Sequence, residues 1–219
     1  MRVSSPNSRG DEEWVVYDIR GANTNSTTHY VVLDNLSPKT TYDIEIVSGA
    51  ETAESMESIA ITTAVTLDRL PQSDTIYGVA FQADGVTLAT DALVYITVQD
   101  ADGVGSKGKA KVLSAIVDED GLWYANLGNA RTAALDAYFN YSAQGDQVHF
   151  DVQGSDGKTA TLTVDTANDT QTSDIIINLS PTAVTVESYE VVPASTPWQG
   201  GLLLVTLLLA AAGWWHRKK

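Results

Sequence analysis

Four Asp-Gly dipeptides, at 84–85, 102–103, 120–121 and 156–157, each fall between short apolar runs. This punctuation constrains the chain more than any other feature. Aspartate followed by glycine favours the tight turns that join antiparallel strands, because glycine takes positive φ without steric cost. The intervening runs are rich in Val, Ile, Thr and Tyr, and no long stretch repeats at the helical period. Between Thr159 and Asp165, Ala160, Leu162 and Val164 alternate with polar residues, the pattern of a strand with one buried face. The spacing predicts strands over Ile76–Phe81, Ala92–Val98, Lys111–Val117, Leu122–Asn126, Val148–Gln153, Thr159–Asp165 and Asp174–Leu179, which make a β-sandwich. A helical turn is expected over Ala130–Ala137.

An earlier region, Trp14 to Thr63, shows the same period of two. Tyr42, Ile44 and Ile46 alternate with Asp43 and Glu45, and Val31 and Leu33 alternate with Val32 and Asp34. The segment Leu36-Ser37-Pro38-Lys39-Thr40-Thr41-Tyr42 resembles the E–F corner of a fibronectin type III domain, whose pattern is L-x-P-x-T-x-Y. The resemblance implies that Tyr42 forms a tyrosine corner, its hydroxyl bonded to backbone near the turn. It covers about fifty residues, half of such a domain. No signal peptide follows Met1. A chain that continues upstream, supplying both a signal peptide and the first two strands, is therefore expected.

The second region also carries a resemblance. Ile76-Tyr77-Gly78-Val79, Asp84-Gly85, Ala92-Leu93-Val94-Tyr95-Ile96 and Asp118-Glu119-Asp120-Gly121-Leu122-Trp123 are similar to the carboxypeptidase-regulatory-like and Cna-B-like (transthyretin-like) sandwiches. That resemblance implies a non-catalytic module. Ile76–Phe81 has no lysine, so the Lys–Asn crosslink of some Cna-B members is not expected.

From Gly200 to Trp215 no residue is charged and only Thr206 is polar. A helix of that length reaches roughly 24 Å, against a hydrocarbon core of about 30 Å. Trp198, Trp214 and Trp215 suit the membrane interfaces, and Arg217, Lys218 and Lys219 extend the reach and point to a cytoplasmic end. Val192, Pro193, Pro197 and Trp198 ahead of this run look like an exosortase-type C-terminal sorting signal of the V-P-x-x-x-P form. That likeness implies a sorting or processing enzyme as a partner.

The expected organisation is all-β, with tandem immunoglobulin-like β-sandwiches plus one C-terminal transmembrane helix. A partial fibronectin type III-like sandwich occupies 1–66, a linker 67–74, the second sandwich 75–180, and a Pro/Thr/Ser stalk 181–197. The membrane helix takes 198–215 and a basic cytoplasmic tail 216–219.

Thirteen basic residues face 28 acidic ones, for a net charge of −15, which excludes phosphate-neutralising contact with nucleic acid. With no cysteine, disulfide scaffolds and thiol chemistry are excluded. None of the three histidines (His29, His149, His216) sits in a catalytic motif; a triad at His149 would need a serine or threonine beside it. Gly103 to Gly108 lacks the spacing of a phosphate-binding loop. Asp100-Ala101-Asp102-Gly103 and Asp118-Glu119-Asp120-Gly121 are the candidate Ca²⁺ ligands, weighed against ordinary turns; no cofactor is expected otherwise. Trp123, Tyr124, Tyr138, Phe139 and Tyr141 offer a stacking surface for a glycan if they lie outside the core. These features point to a non-catalytic cell-surface protein, structural or adhesive, with its ectodomain outside, lipid at the C-terminal helix and a surface protein or glycan as its partner. The alternatives are the accessory C-terminal region of a larger secreted hydrolase, or a carbohydrate-binding module.

Overall fold

The computed structural model describes residues 2–4, 13–46, 59–167, 175–176, 190–194 and 201–208, with side chains over 13–46 and 59–167. The elements are β1 (Arg2–Ser4), β2 (Glu13–Val15), β3 (Thr28–Leu36), β4 (Thr41–Glu45), β5 (Ile59–Thr62), β6 (Thr75–Phe81) and β7 (Leu93–Gln99). They continue with β8 (Leu113–Ile116), β9 (Leu122–Asn126), a 3₁₀ turn (Leu127–Asn129), β10 (Gln147–Gln153), β11 (Thr159–Asp165), β12 (Ile175–Ile176), β13 (Glu190–Ala194) and β14 (Gly201–Leu208). The fold is all-β, and among the described residues every strand pairing is antiparallel except that of β12 with β6.

Two sheets, ordered β11-β10-β7-β8 and β12-β6-β9, close on one core in a sandwich-like arrangement. The pleat explains which residues enter it. In β6, Ile76 and Ala80 are buried while Thr75 and Tyr77 are exposed; in β10, Val148, Phe150 and Val152 are buried. Trp123 meets Phe150 at 5.4 Å between ring centroids. Each such side chain contributes roughly 1.5–3 kcal/mol through burial. Where a helical turn was expected, 130–137 instead bends back through an Arg131–Tyr138 bridge, with Leu135 at a φ of 61°. Thr132 and Phe139 donate backbone N–H bonds to Ala137 and Ala130 respectively, so cross-chain pairing replaces the helical i to i+4 ladder.

A second core gathers Val31, Leu33, Leu36, Tyr42, Ile44, Ile46 and Ile61, with Trp14, Val16 and Ile59 packed against it. Around it lie the sheets β2-β1-β4-β5 and β13-β14-β3.

The structure differs most from expectation at the C-terminus. Gly201–Leu208 is a strand, paired with β3 from Leu36 to Thr28 and with β13 on its other side. No helix among the described residues is long and apolar enough to cross a membrane. A run apolar at all positions but Thr206 has no period, so the sequence pattern alone does not separate strand from helix. Pairing with the open edge of β3 satisfies its backbone groups in the absence of lipid. The outer parts of the expected helix, 198–200 and 209–215, and the tail 216–219 lie outside the described residues, as does most of the stalk.

Candidate functional site

Among the described residues, a densely bonded polar cluster lies where the two cores meet. Asp18, on the segment leading from β2, keeps only 5% of its side chain exposed. Its Oδ1 accepts from Arg20 Nε at 2.8 Å and from the Arg20 backbone at 3.0 Å. Its Oδ2 accepts from Arg20 Nη2 at 2.8 Å and Tyr30 N at 3.0 Å, with His29 Nδ1 at 3.2 Å. Burial opposes the charged form of Asp18, but these donors and the Arg20 charge outweigh it and hold the carboxyl far below the usual range. The same contacts, chiefly the hydrogen bonds to Asp18, hold the Arg20 guanidinium protonated against its own burial.

Arg20 then reaches across to the second unit, placing Nη1 2.8 Å from Asp91 Oδ1, off the hydrogen-bonding direction and so as an ion pair. Three more bonds cross the junction. Thr28 Oγ1 donates to Asp91 O at 2.8 Å, Tyr30 Oη donates to Ser114 O at 2.9 Å, and Thr27 Oγ1 donates to Ser155 O. Tyr30 is buried within the second core although its strand belongs to the first, and Val32 packs beside it. Strand β3 is therefore enclosed on both faces: Val31 and Leu33 face one core, Tyr30 and Val32 the other. Burial raises the Tyr30 phenol to about 12.

The segment between the units is also pinned. Arg131, 6% exposed, donates Nη1 to Val65 O at 3.0 Å and lies 5.0 Å from the Tyr138 ring centroid. Burial in these surroundings lowers the guanidinium's affinity for its proton. Asp74 N donates to Asn126 Oδ1 at 2.9 Å, Asp74 O accepts from Leu127 N at 2.7 Å, and Tyr141 Oη donates to Asp74 Oδ2 at 2.6 Å. Gly128 lies so close beneath Gln72 that a Cβ would overlap the Gln72 carbonyl.

The acidic turns use their carboxylates locally. Asp118 Oδ1 accepts from Asp120 N and Leu122 N, and Asp84 Oδ1 from Val86 N and Thr87 N. The Thr87 hydroxyl and these amides bring Asp84 down to about 2. Asp100 and Asp102 bond Gly103 N and Val104 N, and the fold brings the distant Asp146 to them, with one oxygen of each within 4.8 Å of the others. Asp146 is fully buried and accepts from Ala101 N and Ser142 N, both at 2.8 Å. Three carboxylates there are chemically suited to a hard cation such as Ca²⁺. Their visible employment is to hold loops.

His149 does have a hydroxyl beside it. Cross-strand register places Thr163 Oγ1 2.7 Å from Nδ1, with Asp151 Oδ1 3.5 Å from Nε2. The group stands on an open sheet face, with Asp151 56% exposed, and β10 is ladder-paired on both sides by β7 and β11. Its backbone N–H groups are thus engaged in pairing rather than aimed at a developing oxyanion.

Of the remaining residues singled out in the sequence, Tyr42 is buried, its hydroxyl accepting from Ser37 N at 2.8 Å and its ring meeting Trp14 edge-on at 5.9 Å. Val192 and Pro193 have backbone in β13, in register with Leu204 and Leu203. Pro197, Trp198, Trp214, Trp215, Arg217, Lys218 and Lys219 lie outside the described residues. Among the aromatics, Trp123 and Phe139 are core residues, while Tyr124 is 75% exposed beside Tyr77, which was not among the aromatic candidates.

No protein-family model, curated protein or solved structure matches this chain.

Proposed function

We propose that the chain is a non-catalytic spacer and interaction protein displayed at a cell surface. On this reading the first unit is fibronectin type III-like, with Tyr42 as its tyrosine corner, and the second is carboxypeptidase-regulatory-like or Cna-B-like. The segment 181–197 is the stalk, 198–215 the membrane helix and 216–219 the cytoplasmic tail. Val192, Pro193, Pro197 and Trp198 address the chain to a sorting enzyme.

The observation that supports it most is the junction. Tyr30 inserted in the neighbouring core, the Asp18–Arg20–Asp91 chain and Arg131 on Val65 make two units behave as one stiff body. Stiffness across a junction is what a spacer requires and what a flexible linker would forfeit. The acidic surface keeps such a body soluble outside the membrane.

In the chain alone the apolar run pairs with β3; in lipid it gives up that pairing for a helix whose backbone groups are satisfied internally. Flotation with phosphatidylcholine vesicles tests this. The full chain should rise with the lipid and gain helical circular dichroism, and a chain ending at Pro197 should do neither. Full-length protein that stays in the dense fraction refutes the membrane reading.

A further inference from the structure

We propose that Thr163 is an acyl-accepting nucleophile, with His149 as its general base and activated acyl esters as its donors. The sequence sets the condition that a hydroxyl must stand beside His149, and cross-strand register meets it. Thr163 Oγ1 lies 2.7 Å from His149 Nδ1, and Asp151 Oδ1 lies 3.5 Å from Nε2. A nucleophile within hydrogen-bond reach of a base that a third group orients is the arrangement that activates a hydroxyl. Thr163 is exposed and the His149 side chain keeps 38% of its surface in solvent, so a donor reaches both.

The carboxylate sets the roles. A negative charge beside Nε2 favours the tautomer that carries its proton there, which leaves the Nδ1 lone pair to accept from the Thr163 hydroxyl. Thr161, two residues along the same face, has Asp151 opposite it rather than an imidazole. Of these two neighbouring hydroxyls, Thr163 alone has a base in register.

The donor class follows from what surrounds the pair. β10 is ladder-paired on both sides, so it has no spare amide to stabilise an oxyanion, and amides or alkyl esters are beyond the site. An acyl group on a phenolate leaving group needs less help. Thr163 Oγ1 bonds to the acyl carbon while its proton passes to His149 Nδ1. The C–O bond to the phenolate then breaks, the phenolate departs as the anion, and the imidazolium gives its proton to water. Nothing is oxidised or reduced. Removing the acyl group again would expel an alkoxide without oxyanion support, so the adduct persists and the step is a stoichiometric modification rather than turnover. The inference goes beyond the spacer reading and depends on neither the stiff junction nor lipid, so either can fail without the other.

The test incubates the full chain with 4-nitrophenyl acetate at neutral pH, quenches in acid, digests with pepsin and locates acetyl groups by mass spectrometry. One acetyl group on Thr163 is expected, with Thr161 unmodified. His149→Gln should slow the labelling of Thr163 about a hundredfold, the size of a general-base contribution. Asp151→Asn should slow it about fivefold, the rate equivalent of one exposed ion pair, and Asp151→Glu should restore it. Thr163→Ser keeps the hydroxyl and should still be labelled at that position, whereas Thr163→Val should not. Unshifted melting temperatures in His149→Gln and Thr163→Val show that the fold is intact. An unlabelled Thr163 in the wild type overturns the proposal, as does acetyl found only on His149 or on lysines. So does labelling of Thr163 at the wild-type rate in His149→Gln, or equal labelling of Thr161.

Discussion

Replacing Arg20 by alanine removes the cation that joins Asp18 to Asp91. Two charge-assisted bonds to Asp18 at 2.8 Å and one to Thr28 O at 2.5 Å disappear, and Asp18 keeps only its backbone donors and His29. Breaking a fully buried pair costs about 3–5 kcal/mol. Arg20 keeps a fifth of its side chain in solvent and Asp91 is 42% exposed, so the Asp91 contact is worth under about 1 kcal/mol and the whole effect about 2–3 kcal/mol. For a chain of this size that lowers the melting temperature by roughly 5–10 °C.

The pH dependence follows from the depressed Asp18 carboxyl. As pH falls below the ordinary carboxylate value, the unfolded state takes up a proton that the folded state refuses, so wild-type stability declines. That contribution is present above about pH 4 and is lost as acid approaches the folded-state value. Urea denaturation of wild type and Arg20→Ala should therefore show a gap that is constant from pH 7 to 5 and narrows below pH 4. An Asp91→Ala control should cost under about 1 kcal/mol. A loss under about 0.5 kcal/mol for Arg20→Ala, or a gap that stays flat down to pH 2.5, refutes the reasoning.

Three further outcomes are expected. Asp146→Ala removes the buried carboxylate that accepts from Ala101 N and Ser142 N at the partly exposed ends of two loops and should cost about 1–3 kcal/mol by urea denaturation. Gly128→Ala should cost about 2–3 kcal/mol, because the new methyl drives the Gln72 carbonyl away, and limited proteolysis should then cut near 67–74. NMR titration should place the Asp84 carboxyl near pH 2, and Thr87→Val should move it upward by removing the hydroxyl hydrogen bond that lowers it most.

Local chemistry was legible in the sequence. The alternation in 159–165 and the aspartate–glycine turns place β11 and the bends at Gly85, Gly103, Gly121 and Gly157, each with φ between 67° and 80°. The all-β class follows from the same signals. What the sequence hid are relations between strands. Thr163 beside His149, Tyr77 beside Tyr124 and Asp146 beside Asp100 all depend on pairing register or loop closure, which no single segment encodes. Tyr30 illustrates the same point. Alternation marks its strand, but only the assembled junction shows that one face of β3 belongs to the other core. At 201–208 the apolar run carried no period, and the expected helix is a strand there.

The stiffness of the junction is open to direct measurement, because the chain has no cysteine to remove before labelling. Spin labels on Thr62→Cys in β5 and Thr161→Cys in β11, both exposed, report the separation of the two units by electron–electron double resonance. One narrow distance distribution is expected, broadening in Arg20→Ala. A broad or multi-peaked distribution in the otherwise unaltered chain would contradict the account.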